Sequence, residues 1–162
     1  MTTREQIITE ARSWIGTKFH HQGRLKKSAA NHGGCDCLGL LVGVARDLQM
    51  HSPKNKSRAF LSQFDDTAYT RIPNGKKLQE RLENLLYPVD AKNMDMADVL
   101  LLKFGRNPQH LGIISDYPGG FGLIHCFRQV GQVVEHRLDD YWREKIVGVY
   151  SFFDSGFRLS PE

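Results

Sequence analysis

The 162-residue chain reads as an α+β fold. Apolar residues recur at helical spacing in the first half and in strand-like runs in the second, with no repeat of about 20 to 50 residues and no linker-like stretch. Thr2 or Thr3 caps a first helix whose apolar face is Ile7, Ile8, Ala11, Trp14 and Ile15, ended by Gly16. A long loop is expected over 17–34, where Gly23, Gly33, Gly34, three histidines and the basic run Arg24-Leu25-Lys26-Lys27 support neither helix nor strand. Those basic side chains are expected to be solvated. Leu38, Leu41, Val42, Ala45 and Leu48 then mark a second helix from Cys37 to about residue 49. Residues 51–75, polar and carrying Pro53 and Pro73, read as loop with one short helix near 58–69. Leu78, Leu82, Leu85 and Leu86 predict a third helix over 76–86, closed by Pro88. Strands are expected at 99–104, 110–115, 121–127, 132–136 and 146–153.

With 40% hydrophobic and 25% charged residues, the composition is that of one globular domain with an ordinary core. The net charge of +4 and pI near 9.0 suit a polyanionic surface, nucleic acid or anionic cell wall, without choosing between them. Met1-Thr2-Thr3-Arg4-Glu5-Gln6 holds no apolar signal region, and no run approaches the roughly 20 apolar residues of a membrane span. A soluble protein made in the cytoplasm, with no membrane insertion, is the expectation. Cys35, Cys37 and Cys126 form no disulfide framework, so any thiol chemistry is expected to be that of free thiols.

The stretch Gly33-Gly34-Cys35-Asp36-Cys37-Leu38-Gly39-Leu40 puts a thiol where a glycine-rich loop turns into an apolar helix. Asp36 is a credible N-cap and Cys37 a first-turn residue. The unpaired N–H groups and positive dipole end there favour thiolate over thiol, so Cys37 is a candidate nucleophile. Cys35 lies outside that turn, and one intervening residue strains a disulfide between the two.

His110 and His125 flank the turn signal Asp116-Tyr117-Pro118-Gly119-Gly120. A hairpin centred on Tyr117 and Pro118 makes the two imidazoles direct cross-strand neighbours on one face, with Gly112 and Leu123 beside them. Leu111, Ile113, Ile124 and Cys126 then point to the other face, which removes Cys126 from the site. A thiol nucleophile needs a base, and the base needs an orienting group; His110 and His125 fit those two roles.

At Asp36-Cys37-Leu38-Gly39-Leu40, Ala97-Asp98-Val99-Leu100-Leu101, His110-Leu111-Gly112-Ile113 and Ile124-His125, the chain resembles the NlpC/P60 family of papain-like cysteine peptidases. Within it the chain is similar to the branch encoded with phage tails and gene transfer agents. Ala11-Arg12-Ser13-Trp14-Ile15-Gly16-Thr17, Val133-Val134-Glu135, Trp142 and Gly148 extend the likeness over nearly the whole chain. The resemblance implies N-terminal helices packed on a central antiparallel sheet of about five to six strands. It implies cleavage of peptidoglycan stem peptides, with γ-D-glutamyl-diamino acid bonds the usual target and phage-like tail proteins as further partners. Such a protein acts on the cell wall, alone or within a phage-like particle, and needs neither nucleic acid nor cofactor. Carried over by position, Cys37 is the nucleophile, His110 the base and His125 the third polar member.

Two positions depart from the family pattern. Phe19 stands where many members carry a Tyr whose phenol is thought to help stabilise the oxyanion. The oxyanion is then left to the backbone N–H of Cys37, with Gln22, His20 or His21 as further donors or substrate contacts. One lost donor can cost roughly 2.7 to 4 kcal/mol of transition-state stabilisation. Leu38 replaces a common Ser, a change the phage branch tolerates.

Plainer readings stand beside these. A cysteine at a helix start is commonly structural, and strand histidines are commonly surface or satisfied core residues; their shared face favours the catalytic reading. A zinc site from Cys35, Cys37, His110 and His125 lacks the usual C-x2-C spacing, so no metal is expected. Glu135 and Asp98 read as structural, or for Glu135 as a substrate contact. Three functions remain open: a cell-wall peptidase or amidase working through a thioester, a tail-hub or tail-tip component with feeble chemistry, and a thioester-dependent acyltransferase.

Overall fold

The computed structural model describes residues 2–54 and 75–154. Helix α1 (Arg4–Ser13) starts on a reciprocal cap, with Thr3 Oγ1 accepting the Gln6 N–H at 3.1 Å and Gln6 Oε1 accepting the Thr3 N–H at 2.8 Å. Its apolar face buries Ile7, Ile8 and Ala11, with Trp14 following, and Arg4 on its first turn pairs with the buried Asp98 at 2.8 Å. Helix α2 (Cys37–Asp47) is buried from Leu38 to Ala45, so hydrophobic packing holds it from nearly all sides. Helix α3 (Gly75–Leu85) contributes Leu78, Leu82 and Leu85 to the same core. The helix expected near 58–69 falls outside the described residues.

Strands β3 (Tyr87–Val89), β4 (Val99–Phe104), β5 (Asn107–Tyr117), β6 (Gly120–Phe127), β7 (Gln132–Arg137) and β8 (Ile146–Ser151) follow. Among the described residues they form one antiparallel sheet in the order β3-β8-β4-β5-β6-β7. This is the α+β architecture that the sequence predicts. β3 was not foreseen, because a three-residue strand around Pro88 is too short for alternation to register. A single-turn helix α4 (Asp140–Arg143), also unforeseen, caps on Asp139 and seats Trp142 against the sheet.

The sheet has two covered faces. Leu111, Ile113, Ile124, Cys126 and Val133 meet α1 and α2 on one. On the other, Leu100, Leu102, Leu123 and Trp142 form a smaller cluster edged by Phe104 and Phe127. β5 and β6 are buried continuously through their centres, and the alternating direction of their side chains distributes them between these two layers.

The segment 17–34 is more ordered than its composition predicts. Its backbone pairs with β7, the free edge of the sheet: Phe19 N–H donates to Gly131 O at 2.8 Å and Val133 N–H to Thr17 O at 2.9 Å. Further on, β1 (Arg24–Leu25) and β2 (Gly34–Cys35) pair antiparallel. The basic run is correspondingly not a freely solvated stretch, since Arg24 pairs with Asp36 at 3.3 Å and Lys26 with Glu10 at 2.9 Å.

Candidate active site

Asp36 sets the entry to α2. Its Oδ1 accepts the Gly39 N–H at 2.7 Å, the bond expected of an N-cap, and its Oδ2 accepts the Gln22 N–H at 2.8 Å. One buried carboxylate thereby ties the preceding loop to the helix and places Cys37 as its first residue. Gly39 is required by a close approach: a Cβ there would collide with the Gly23 carbonyl oxygen.

Cys37 alone of the three cysteines keeps exposed surface, Cys35 and Cys126 being fully buried. The β5–β6 ladder runs from Tyr117–Gly120 to Ile113–Ile124 and ends there. Beyond it the main-chain N–H groups of Leu111 and Leu38 lie near enough to the Cys37 sulfur to favour its charged form. The thiol thus lies against the residue that follows His110.

The expectation that the helix end would favour thiolate is overturned. Burial, followed by the adjacent Asp36 carboxylate, pushes the Cys37 thiol up to about 12, and the two N–H donors offset this only in part. Loss of hydration outweighs the local dipole because the sulfur is enclosed between helix and sheet.

The hairpin register also differs from the expected one. The two-residue turn is Pro118-Gly119, with Gly119 at a φ of +82°, so paired residue numbers sum to 237. Continued by one pair, this register sets His125 across from Gly112 and diagonal to His110. Glycine's freedom to take positive φ moves the turn by one residue relative to Tyr117-Pro118. A change of two in the sum preserves the face, so both imidazoles still share a side. The diagonal suits them: Gly112 has no side chain to intervene, and a Cβ there would lie 3.4 Å from that of His125. His110 Nε2 and His125 Nδ1 are 2.7 Å apart.

The row continues into a residue that sequence reasoning missed. His125 Nε2 and His136 Nε2 are 2.8 Å apart, and His136 Nδ1 lies 2.8 Å from the Arg137 carbonyl oxygen. His136 opposes Leu123 in the β6–β7 ladder and is diagonal to His125. Hairpin arithmetic applied to Phe127 and Gln132 would have found it. The aromatic rings of Phe127 and Trp142 flank His125, with centroids at 5.5 and 4.9 Å, and Phe104 lies 5.5 Å from His110. Within this wall, burial lowers His110 to about 3; burial, with the His110 and His136 rings adding to it, lowers His125 to about 2. Both are neutral at physiological pH. Among the described residues no three His, Cys, Asp or Glu side chains are arranged to hold a metal ion.

The other expected residues are placed as follows. Phe19 packs, half-buried, against the helix-side core. The Gln22 main-chain N–H is committed to Asp36, which withdraws that donor from an oxyanion. His20 is exposed, its Nδ1 3.0 Å from the His21 carbonyl oxygen, and His21 is half-buried. Glu135 is held by Arg12, whose Nε and Nη2 donate at 3.0 and 2.9 Å, and Asp98 by Arg4; both carboxylates are structural. Cys126 Sγ donates to the Cys35 carbonyl at 3.1 Å on the helix side, away from the imidazoles.

No family profile and no curated protein sequence matches the chain. Solved structures do. The NlpC/p60 domain of the peptidoglycan hydrolase SagA superposes with a TM-score of 0.60 at 16% identity, over 93% of this chain and 99% of that one. An NlpC/P60 family protein from Bacillus cereus ATCC 10987 gives 0.62 at 14% identity, over 94% of this chain, which spans 41% of that longer protein. An N-acetylmuramoyl-L-alanine amidase from Bacteroides uniformis ATCC 8492 gives 0.51 at 10% identity, over 91% and 96% of the two chains.

Proposed function

We propose that this chain, whose fold is that of NlpC/P60 domains, is a cysteine peptidase of that family that hydrolyses peptidoglycan stem peptides. The observation that carries the reading is the placement of Cys37 as the first residue of α2, near the main-chain N–H of the residue after His110, with His110 paired through Nε2 to His125 at 2.7 Å. The names borne by the similar structures, peptidoglycan hydrolase and muramoyl-alanine amidase, point to the same substrate.

The chemistry follows from two neutral partners. A thiol raised to about 12 and an imidazole lowered to about 3 both rest uncharged, so in this mechanism thiolate forms only as the substrate carbonyl is attacked. His110 Nε2 is engaged by His125, which leaves Nδ1 to take the Cys37 proton. Sulfur adds to the carbonyl carbon, the carbonyl π pair moves to oxygen, and the Cys37 backbone N–H faces the developing charge. As the tetrahedral centre collapses, the C–N bond breaks and His110 returns the proton to the departing amine. Water, losing a proton to the same nitrogen, then opens the thioester and regenerates the thiol. A γ-D-glutamyl-diamino acid bond is the proposed target.

Mass spectrometry of muropeptides incubated with wild type and Cys37→Ala tests this. Cleavage products that disappear in Cys37→Ala and persist in Cys35→Ser are expected. Equal cleavage by Cys37→Ala refutes the proposal. A second reading, a phage-tail hub or tip component with feeble chemistry, is favoured by Phe19, which has no phenol to offer an oxyanion. It predicts intact sacculi after prolonged incubation with wild type.

A further inference from the structure

A His–His pair has no inherent direction. Each neutral imidazole carries one N–H and one bare nitrogen, so the 2.7 Å contact between His110 Nε2 and His125 Nδ1 forms equally well with either ring donating. Only one of the two arrangements leaves His110 able to act as a base. If His110 donates through Nε2, its Nδ1 is bare and can take a proton; if His125 donates, His110 carries its proton on Nδ1 and is useless to Cys37. A carboxylate in the third position would remove the ambiguity, because it can only accept. A histidine there does not.

We propose that His136 is a positioning residue that fixes the direction of this chain by relaying the acceptor character of the Arg137 carbonyl to His110. The inference rests on the reading of His110 as the base. A carbonyl oxygen has no proton, so at 2.8 Å His136 Nδ1 must be the donor. The neutral ring then has a bare Nε2, and His125 must donate to it through Nε2 at 2.8 Å. That leaves His125 Nδ1 bare, and His110 must donate to it through Nε2 at 2.7 Å. His110 Nδ1 remains without a proton. Any break in this order sets two N–H groups or two lone pairs against each other across 2.7 to 2.8 Å in a site walled by Phe104, Phe127 and Trp142, where water is largely excluded. His136 itself, half-buried at the end of the row and diagonal to His125 across β6 and β7, is separated from His110 by the His125 ring and touches no reacting atom in this scheme.

The test replaces His136 by residues of fixed character. Glutamate only accepts and should preserve the order; lysine only donates and should reverse it; phenylalanine does neither. Long-range proton–nitrogen correlation spectra of protein labelled with 15N-histidine read the tautomer of each ring directly. Wild type and His136→Glu are expected to show His110 protonated on Nε2. His136→Lys is expected to show it protonated on Nδ1, with kcat on muropeptides down on the order of 10²-fold or more, KM within about twofold, and His136→Glu restoring most of the rate. Wild-type protein with the His110 proton on Nδ1, or a His136→Lys variant whose His110 tautomer is unmoved, overturns the proposal. The spectra read the tautomers even in a protein that cleaves no muropeptide, so failure of the peptidase reading and failure of the relay are told apart.

Discussion

Acid should destabilise this protein chiefly through two imidazoles. His110 and His125 are 6% and 0% exposed, and their environment holds protonation down to about 3 and about 2. In the unfolded chain each ring titrates near 6.5. Between those values the unfolded state binds more protons than the folded one, so stability rises with pH across the window and is lost as pH falls through it. Above about pH 6.5 the rings impose no penalty. Below it each ring costs roughly 1.4 kcal/mol per pH unit, and at about pH 5 the two together remove on the order of 4 kcal/mol. Small domains have only roughly 5 to 15 kcal/mol to lose, so this is a large share. Urea melts at about pH 8 and pH 5, on wild type and on the double variant His110→Gln/His125→Gln, separate this effect from that of the carboxylates. The double variant should lose far less stability between the two pH values. Equal losses would refute the reasoning, as would ring signals of the folded wild type that shift between about pH 8 and pH 5.

Asp36→Ala removes both the α2 cap and the anchor of the Gln22 N–H, and should cost about 1 to 2 kcal/mol in a thermal or urea melt. It also withdraws the carboxylate that helps hold the Cys37 thiol up, so alkylation of Cys37 at about pH 8 should quicken; an unchanged rate contradicts the assigned cause. Phe19→Tyr adds the phenol missing from the loop and should raise kcat on muropeptides by about tenfold or more with little change in KM. A slower Phe19→Tyr enzyme would show that residue 19 does not face the oxyanion.

Much of the site was legible because it rests on short-range chemistry. Asp36 as a cap, Cys37 at the first turn of α2 and the helical face from Leu38 onward all follow from adjacent residues and a 3.6-residue period. The shared face of His110 and His125 survives because strand parity is insensitive to a turn displaced by one position. The same locality explains what was missed. β3 is too short to show alternation, and the pairing of 17–34 with β7 depends on which strand forms the sheet edge, a property of strand order that no window of sequence contains.

Residue types, periodicity and turn chemistry were enough to determine the α+β class, the helix that presents a thiol and the two histidines facing one way, since each depends on neighbours along the chain. Packing alone decided the charge states and the direction of the proton. The enclosure that lifts the Cys37 thiol to about 12 and lowers His110 to about 3 comes from helix, loop and sheet meeting around them. The row from His110 to the Arg137 carbonyl exists only once β5, β6 and β7 lie side by side. Desolvation and cross-strand contact are properties of surfaces brought together from distant parts of the chain, which is why only the folded molecule reveals them.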